Sequence, residues 1–151
     1  MAYLEKEDYT ISVPILHLDE IMNEAAEASG KTEDVIRGEA EELASAEIQS
    51  YLTSKYEIAT ELLIDAPATR AAMIKKCMVD IALYHLHFTI NPRNIPELRN
   101  KAYEHCIDTL KAAQEGRILI IGVPLVVDAI SNVEIVSQSK FISKPFKDLS
   151  L

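Results

Sequence analysis

The sequence predicts a mainly α fold, a small helical bundle with a central helical hairpin, continued by a short β or extended C-terminal arm. Three observations predict it. Apolar residues recur at helical spacing on both sides of a break inside residues 78–116. The break contains Asn91-Pro92 and Asn94, residues that stop one helix and start another. After Gly116 the pattern changes to continuous β-branched runs, which favour extended backbone. The boundaries that follow are a helical domain over residues 1–116 and an arm over 117–151.

Composition agrees with this class. A chain of 151 residues with 48% hydrophobic and 26% charged residues can enclose a core and solvate its surface. With no Trp and few aromatics, that core must be aliphatic, with Ala and Met filling space between helices.

Taken in order, residues 1–14 read as a mixed lead-in. Leu4 to Asp8 can form a helical turn, and Thr10-Ile11-Ser12-Val13 alternates like a strand before Pro14. Residues 15–29 read as a helix closed by Gly30, with a thin, Ala-rich stripe of Ile21, Met22, Ala25 and Ala26 that predicts a peripheral position. Thr32 is a candidate cap for the next helix, with Glu33 and Asp34 in the first turn where the helix dipole favours them. Its predicted inward residues are Ile36, Ala40, Leu43, Ala44, Ile48, Tyr51 and Leu52, with Glu39, Glu41 and Glu42 on other faces and an end near Tyr56.

Residues 57–67 form a break, and Asp65-Ala66-Pro67 is a start signal for the central helix over 68–90. That helix carries two adjacent rows, Met73, Cys77, Ile81, Tyr84 and Phe88, then Ile74, Met78, Ala82 and His85. Such a wide apolar surface predicts enclosure on more than one side. Asn94 and Pro96 open the last helix, whose inward row is Ile95, Leu98, Ala102, Cys106, Leu110 and Ala113, and Gly116 closes it. Residues 118–121, 123–127 and 133–136 read as extended. The tail from 137 is locally basic and aromatic, with Lys140, Phe141, Lys144, Phe146 and Lys147. Two readings fit such an arm: it adds a strand to a neighbour, or it closes its own subunit.

The charge balance narrows function. A net charge of −9, from 24 acidic and 15 basic residues, argues against binding nucleic acid through its phosphates. It suits a wall that DNA must slide past, because acidic groups repel it. The longest apolar run, residues 118–127, is too short to cross a bilayer and contains Gly122 and Pro124, so no membrane role is expected. The polar opening MAYLEKEDYT lacks the charged and apolar regions of a secretory signal, which makes Cys77 and Cys106 buried free thiols of a reducing cytoplasm.

The search for chemistry is empty. His85 and His87 stand two apart and point to different faces, whereas a metal pair on a helix needs three or four, so His85 is read as a hydrogen-bonded core residue. Asp80 beside the apolar rows invites a catalytic role; the simpler reading is an edge residue pairing with Arg99 or Tyr103 across the hairpin. No nucleotide loop, serine elbow or zinc-type cysteine pattern is present in the sequence. No enzyme activity, cofactor or metal is expected.

The hairpin nevertheless resembles a known family. Asp80, Ile81, Ala82, Tyr84 and Leu86, followed by Arg99, Tyr103, Ile107, Leu110 and Gly116, are similar to the corresponding stretch of the Mu-type phage head–tail connector family. Upstream, Ala46, Ile48, Tyr51, Leu52, Lys55 and Tyr56 match the family's helix with its basic-Tyr ending, and Tyr3-Leu4 with Glu7-Asp8 is similar to its opening. These are packing motifs, carried by order and spacing. The chain departs from the family in Ile58-Ala59-Thr60-Glu61-Leu62, where many members have Leu-Pro-Leu, and fits it loosely after Gly116.

The resemblance implies a virion structural protein made in the bacterial cytoplasm and located in the neck. It implies a homo-oligomeric, dodecameric ring between portal and tail proteins, with DNA passing nearby. Asp80, Tyr84, Arg99, Tyr103, Tyr51 and Tyr56 would then build the hairpin and an interface, and Lys140, Phe141, Lys144 and Phe146 an inter-subunit arm. A small cytoplasmic helical adaptor or regulator is the alternative.

Overall fold

A computed structural model of the chain describes residues 4–56, 72–120 and 125. Among these, a 3₁₀ helix, Lys6–Ile11, precedes four α-helices: α1, Ile15–Ser29; α2, Glu33–Leu52; α3, Ala72–Ile90; and α4, Glu97–Gln114. The mainly helical expectation holds.

The lead-in differs from its alternating pattern. The Glu5 N–H donates to Asp8 Oδ2 at 2.8 Å and the Asp8 N–H to the Glu5 carbonyl at 3.0 Å, closing a tight turn instead of an extended strand. The apolar spacing that matters is four, not two: Tyr9 and Val13 both reach the core. On α1, Leu18, Ile21, Met22 and Ala25 are buried, and Gly30 ends the helix at φ 70°, its N–H bonded to the Ala26 carbonyl. The helix packs against both α2 and α3, so it is less peripheral than its thin stripe suggests.

Thr32 caps α2 as expected, its side chain accepting from the Val35 N–H at 3.4 Å. The inward arc is centred on Ala44 and Ile48, and it takes in Glu41, which is fully buried, while Leu43 falls outside it and is 52% exposed. The helix stops at Leu52; a turn bonds the Tyr56 N–H to the Leu52 carbonyl at 2.8 Å and buries Tyr56. The predicted break and its Asp65-Ala66-Pro67 signal lie outside the described residues.

The central helix is enclosed on several sides, as its wide apolar surface predicts. α1, α2 and α4 all pack on α3, with α2 the most extensive neighbour. Ile74, Cys77, Met78, Val79, Ile81, Ala82, Leu83 and Leu86 are all buried. Each large aliphatic side chain removed from water in this way contributes about 1.5–3 kcal/mol against the entropy of ordering the chain. Phe88, placed in the inward row, is instead half exposed, because it lies about 200° around the helix from the fully buried Leu86.

Between α3 and α4 the chain turns at residues 91–96, where the Asn91 side chain accepts from the Arg93 N–H at 3.1 Å. Pro96, not Asn94, stands at the N-cap of α4, with no side-chain cap. Cys106, Leu110 and Ala113 are buried, whereas Leu98 is 70% exposed. Gly116 takes φ 77° and terminates the hairpin. The positive φ is what favours glycine here; the Lys55 ammonium lies over the same spot, at the end of a side chain that can swing away.

Past Gly116, residues 117–120 form no ladder; the Ile120 N–H donates to the Tyr56 hydroxyl at 3.2 Å, and Tyr56 and Leu125 make an isolated antiparallel bridge. The 133–136 segment and the tail with Lys140, Phe141, Lys144 and Phe146 lie outside the described residues.

Candidate functional site

Among the described residues, three polar clusters lock the helices together, and a cleft lies open between α1 and α4. The first cluster surrounds Asp80, which is 2% exposed and therefore not an edge residue. Its hydrogen-bond donors are neither Arg99 nor Tyr103, although the Asp80 charge acts on the Arg99 guanidinium. Oδ1 accepts from the Ser12 hydroxyl at 2.5 Å, and Oδ2 accepts from Lys76 Nζ at 2.6 Å and from Cys106 Sγ at 3.6 Å. The Lys76 ammonium is held above its usual range by that bond to Asp80. Arg99 reaches the same region indirectly, donating from Nη2 to the Ser12 carbonyl at 3.1 Å. A buried carboxylate is tolerable only when charge and lone pairs are both answered, and here an ammonium, a hydroxyl and a thiol answer them.

Cys77 on α3 and Cys106 on α4 are buried free thiols. The neighbouring Cys77, and then burial, raise the Cys106 pKa, and this thiol keeps its proton as the donor to Asp80.

The second cluster is built on Glu41. Oε1 accepts from the Tyr9 hydroxyl at 2.7 Å and Oε2 from the Leu4 N–H at 3.2 Å, fastening the lead-in to α2. Burial and the adjoining carboxylate raise the Tyr9 pKa, so its hydroxyl stays a donor.

The third cluster joins α2 to both arms of the hairpin. Glu47 accepts from His85 Nε2 at 2.7 Å and from the Tyr103 hydroxyl at 2.9 Å. Burial opposes ionisation of Glu47, but its bonds to His85 and Tyr103 outweigh burial and lower its pKa. Tyr84 stacks on Tyr103 with ring centroids 4.0 Å apart and planes inclined by 15°. His85 is thus the hydrogen-bonded histidine its position predicts. Tyr51 packs at the margin of the core, and Tyr56 is buried within it.

The six hairpin and interface residues therefore divide. Asp80 and Tyr56 are interior, while Tyr84, Arg99, Tyr103 and Tyr51 are half-buried. Among the described residues, no three His, Cys, Asp or Glu side chains converge as metal ligands, and no helix is long and apolar enough to cross a membrane.

Sequence reasoning missed Glu41, Glu47 and Ser12. A signal existed for Glu41, which precedes Ala44 by three and Ile48 by seven, the spacing of the buried row itself. Ser12 had no such signal, because its partner Asp80 is 68 residues away.

The open feature is a cleft of about 340 Å³ between the first half of α1 and the start of α4. His17, Glu20, Ile21 and Glu24 line one wall, and His87, Pro96, Leu98 and Arg99 the other. Burial, and then the Arg99 charge, lower the His87 pKa. On α1, Leu16 lies one turn before Glu20 and is 79% exposed.

Fold and site together define a helical packing domain: its interior polar groups bind helix to helix, and among the described residues a cleft lined by Leu98 and charged side chains opens to solvent. The family to which it belongs is a phage family. The model of the family described as Bacteriophage Mu, Gp36 matches residues 3–128, most of the chain, and the protein is a member of it. The match runs past Gly116 into the segment that fits the resemblance only loosely. No curated protein and no solved structure matches the chain.

Proposed function

We propose that this protein is a non-catalytic structural subunit of a phage or prophage virion, a head–tail connector that assembles as a ring between portal and tail. The observation that carries the reading is membership of the Mu phage family over residues 3–128. Physical features support it. The net charge of −9 suits a subunit lining a DNA passage, where repulsion keeps the polymer sliding. The hydrogen-bonded clusters hold one rigid shape, and a ring subunit must present two different surfaces to its neighbours.

The test is deletion of the gene from an inducible prophage that carries it, with electron microscopy of the particles. A connector predicts DNA-filled heads and separate tails that fail to join, restored by complementation, with antibody against the protein labelling the neck of complete virions. Normal tailed particles lacking the protein would overturn the proposal and favour a cytoplasmic adaptor, for which the cleft would be the partner site.

A further inference from the structure

The two ends of α4 differ in a way that suggests how copies meet. At its start, Leu98 lines the cleft beside Glu20 and Glu24, two carboxylates against the one guanidinium of Arg99, and Leu16 stands exposed on α1 one turn before Glu20. At its far end, about 27 Å away along the 18-residue helix, Ile118 and Leu119 stand 37% and 68% exposed. Around them are Lys55, Lys111 and Arg117, of which Arg117 is paired with Glu115.

Leu98, in an acidic setting, and Ile118 with Leu119, in a basic one, are exposed at opposite ends of α4. They cannot meet within a single copy. We infer that the cleft between α1 and α4 receives residues 117–119 of a second copy of this chain, with Leu119 seated against Leu98 and the basic flank facing Glu20 and Glu24. The contact is heterologous, so each copy keeps one unused cleft and one unused 117–119 edge, and repetition gives a ring or an open filament. Charge complementarity fixes the direction, because edge against edge or cleft against cleft places like charges together. This pairing rests on the ring reading above and specifies its interface.

The full-length chain tests it in two ways. Leu98→Asp and Leu119→Asp each place a carboxylate at one apolar contact, at positions exposed enough to leave the fold intact by circular dichroism. Sedimentation should show that each variant alone loses the higher-mass species of the wild type. An equimolar mixture should give a dimer and nothing larger, since it has one competent cleft and one competent edge. A variant that still assembles alone, or a mixture without the dimer, overturns the pairing.

The second test places a photoreactive benzoylphenylalanine at position 119 in a mixture of isotopically light and heavy chains at high concentration. Crosslinks between copies into peptides of α1 or the start of α4 support the pairing. Crosslinks elsewhere, or none, overturn it. If the gene deletion meanwhile yields unjoined heads and tails, the connector reading stands and only this interface fails.

Discussion

The α2–α3 contact and the α1–α4 cleft treat the same kinds of residue in opposite ways. On these two helices, Glu41, Ser45 and Asp80 are buried, and the two carboxylates are held by hydrogen bonds from the lead-in and from α4. In the cleft, Glu20 and Glu24 face solvent beside a 70% exposed leucine. Helix α4 belongs to both regions, its second half sealed by Cys106, Leu110 and Ala113 and its first turn open at Leu98. The difference teaches that burial along a helix follows the helices packed beside it. α3 has neighbours on several sides, and the first turn of α4 does not.

The largest effect should come from the sealed region. Ile81→Ala removes a fully buried side chain from the helix with the most neighbours and should cost about 3 kcal/mol, whereas Leu98→Ala should stay within about 0.5 kcal/mol. Urea denaturation of the two variants reads the contrast directly, and equal midpoints would erase it.

A smaller loss is expected at Glu41. Replacing it by Ala takes the acceptors from the Tyr9 hydroxyl and the Leu4 N–H and should cost about 2 kcal/mol. Glu24→Ala, on the open side, should leave the melting temperature nearly unchanged. Protection of the lead-in amides against hydrogen exchange should fall in the first variant only.

The smallest effect is one of pH. The folded pKa of Glu47 lies below its reference value of 4.5 because His85 and Tyr103 donate to the carboxylate, outweighing burial. The stability this contributes is fully present above the reference value and is lost as pH falls through the folded pKa. Glu47→Gln should therefore flatten the loss of stability on acidification below pH 4.5 while changing neutral-pH stability modestly. Parallel acid slopes in the two proteins would assign the titration to other carboxylates.

The sequence by itself determined the helices and several of their ends. Thr32, Gly30 and Gly116 act through backbone rules that operate over a few residues, and each performs the predicted role. The breadth of the apolar surface of α3 likewise announced its enclosure. Packing motifs in a fixed order sufficed for the family, because spacing along a helix is preserved when it folds.

What only the tertiary structure decided was which polar residues go inside. Asp80 finds Ser12 across 68 residues of chain, and Glu47 reaches His85 and Tyr103 on two other helices. No local pattern encodes those meetings. Periodicity ranks residues by apolarity and so sends Glu41 outward and Leu43 inward, the reverse of what is found. A carboxylate is stable inside once donors from distant segments surround it, and a leucine stays outside where no helix arrives to cover it. Both conditions belong to the assembled fold, and neither is written in the neighbouring residues.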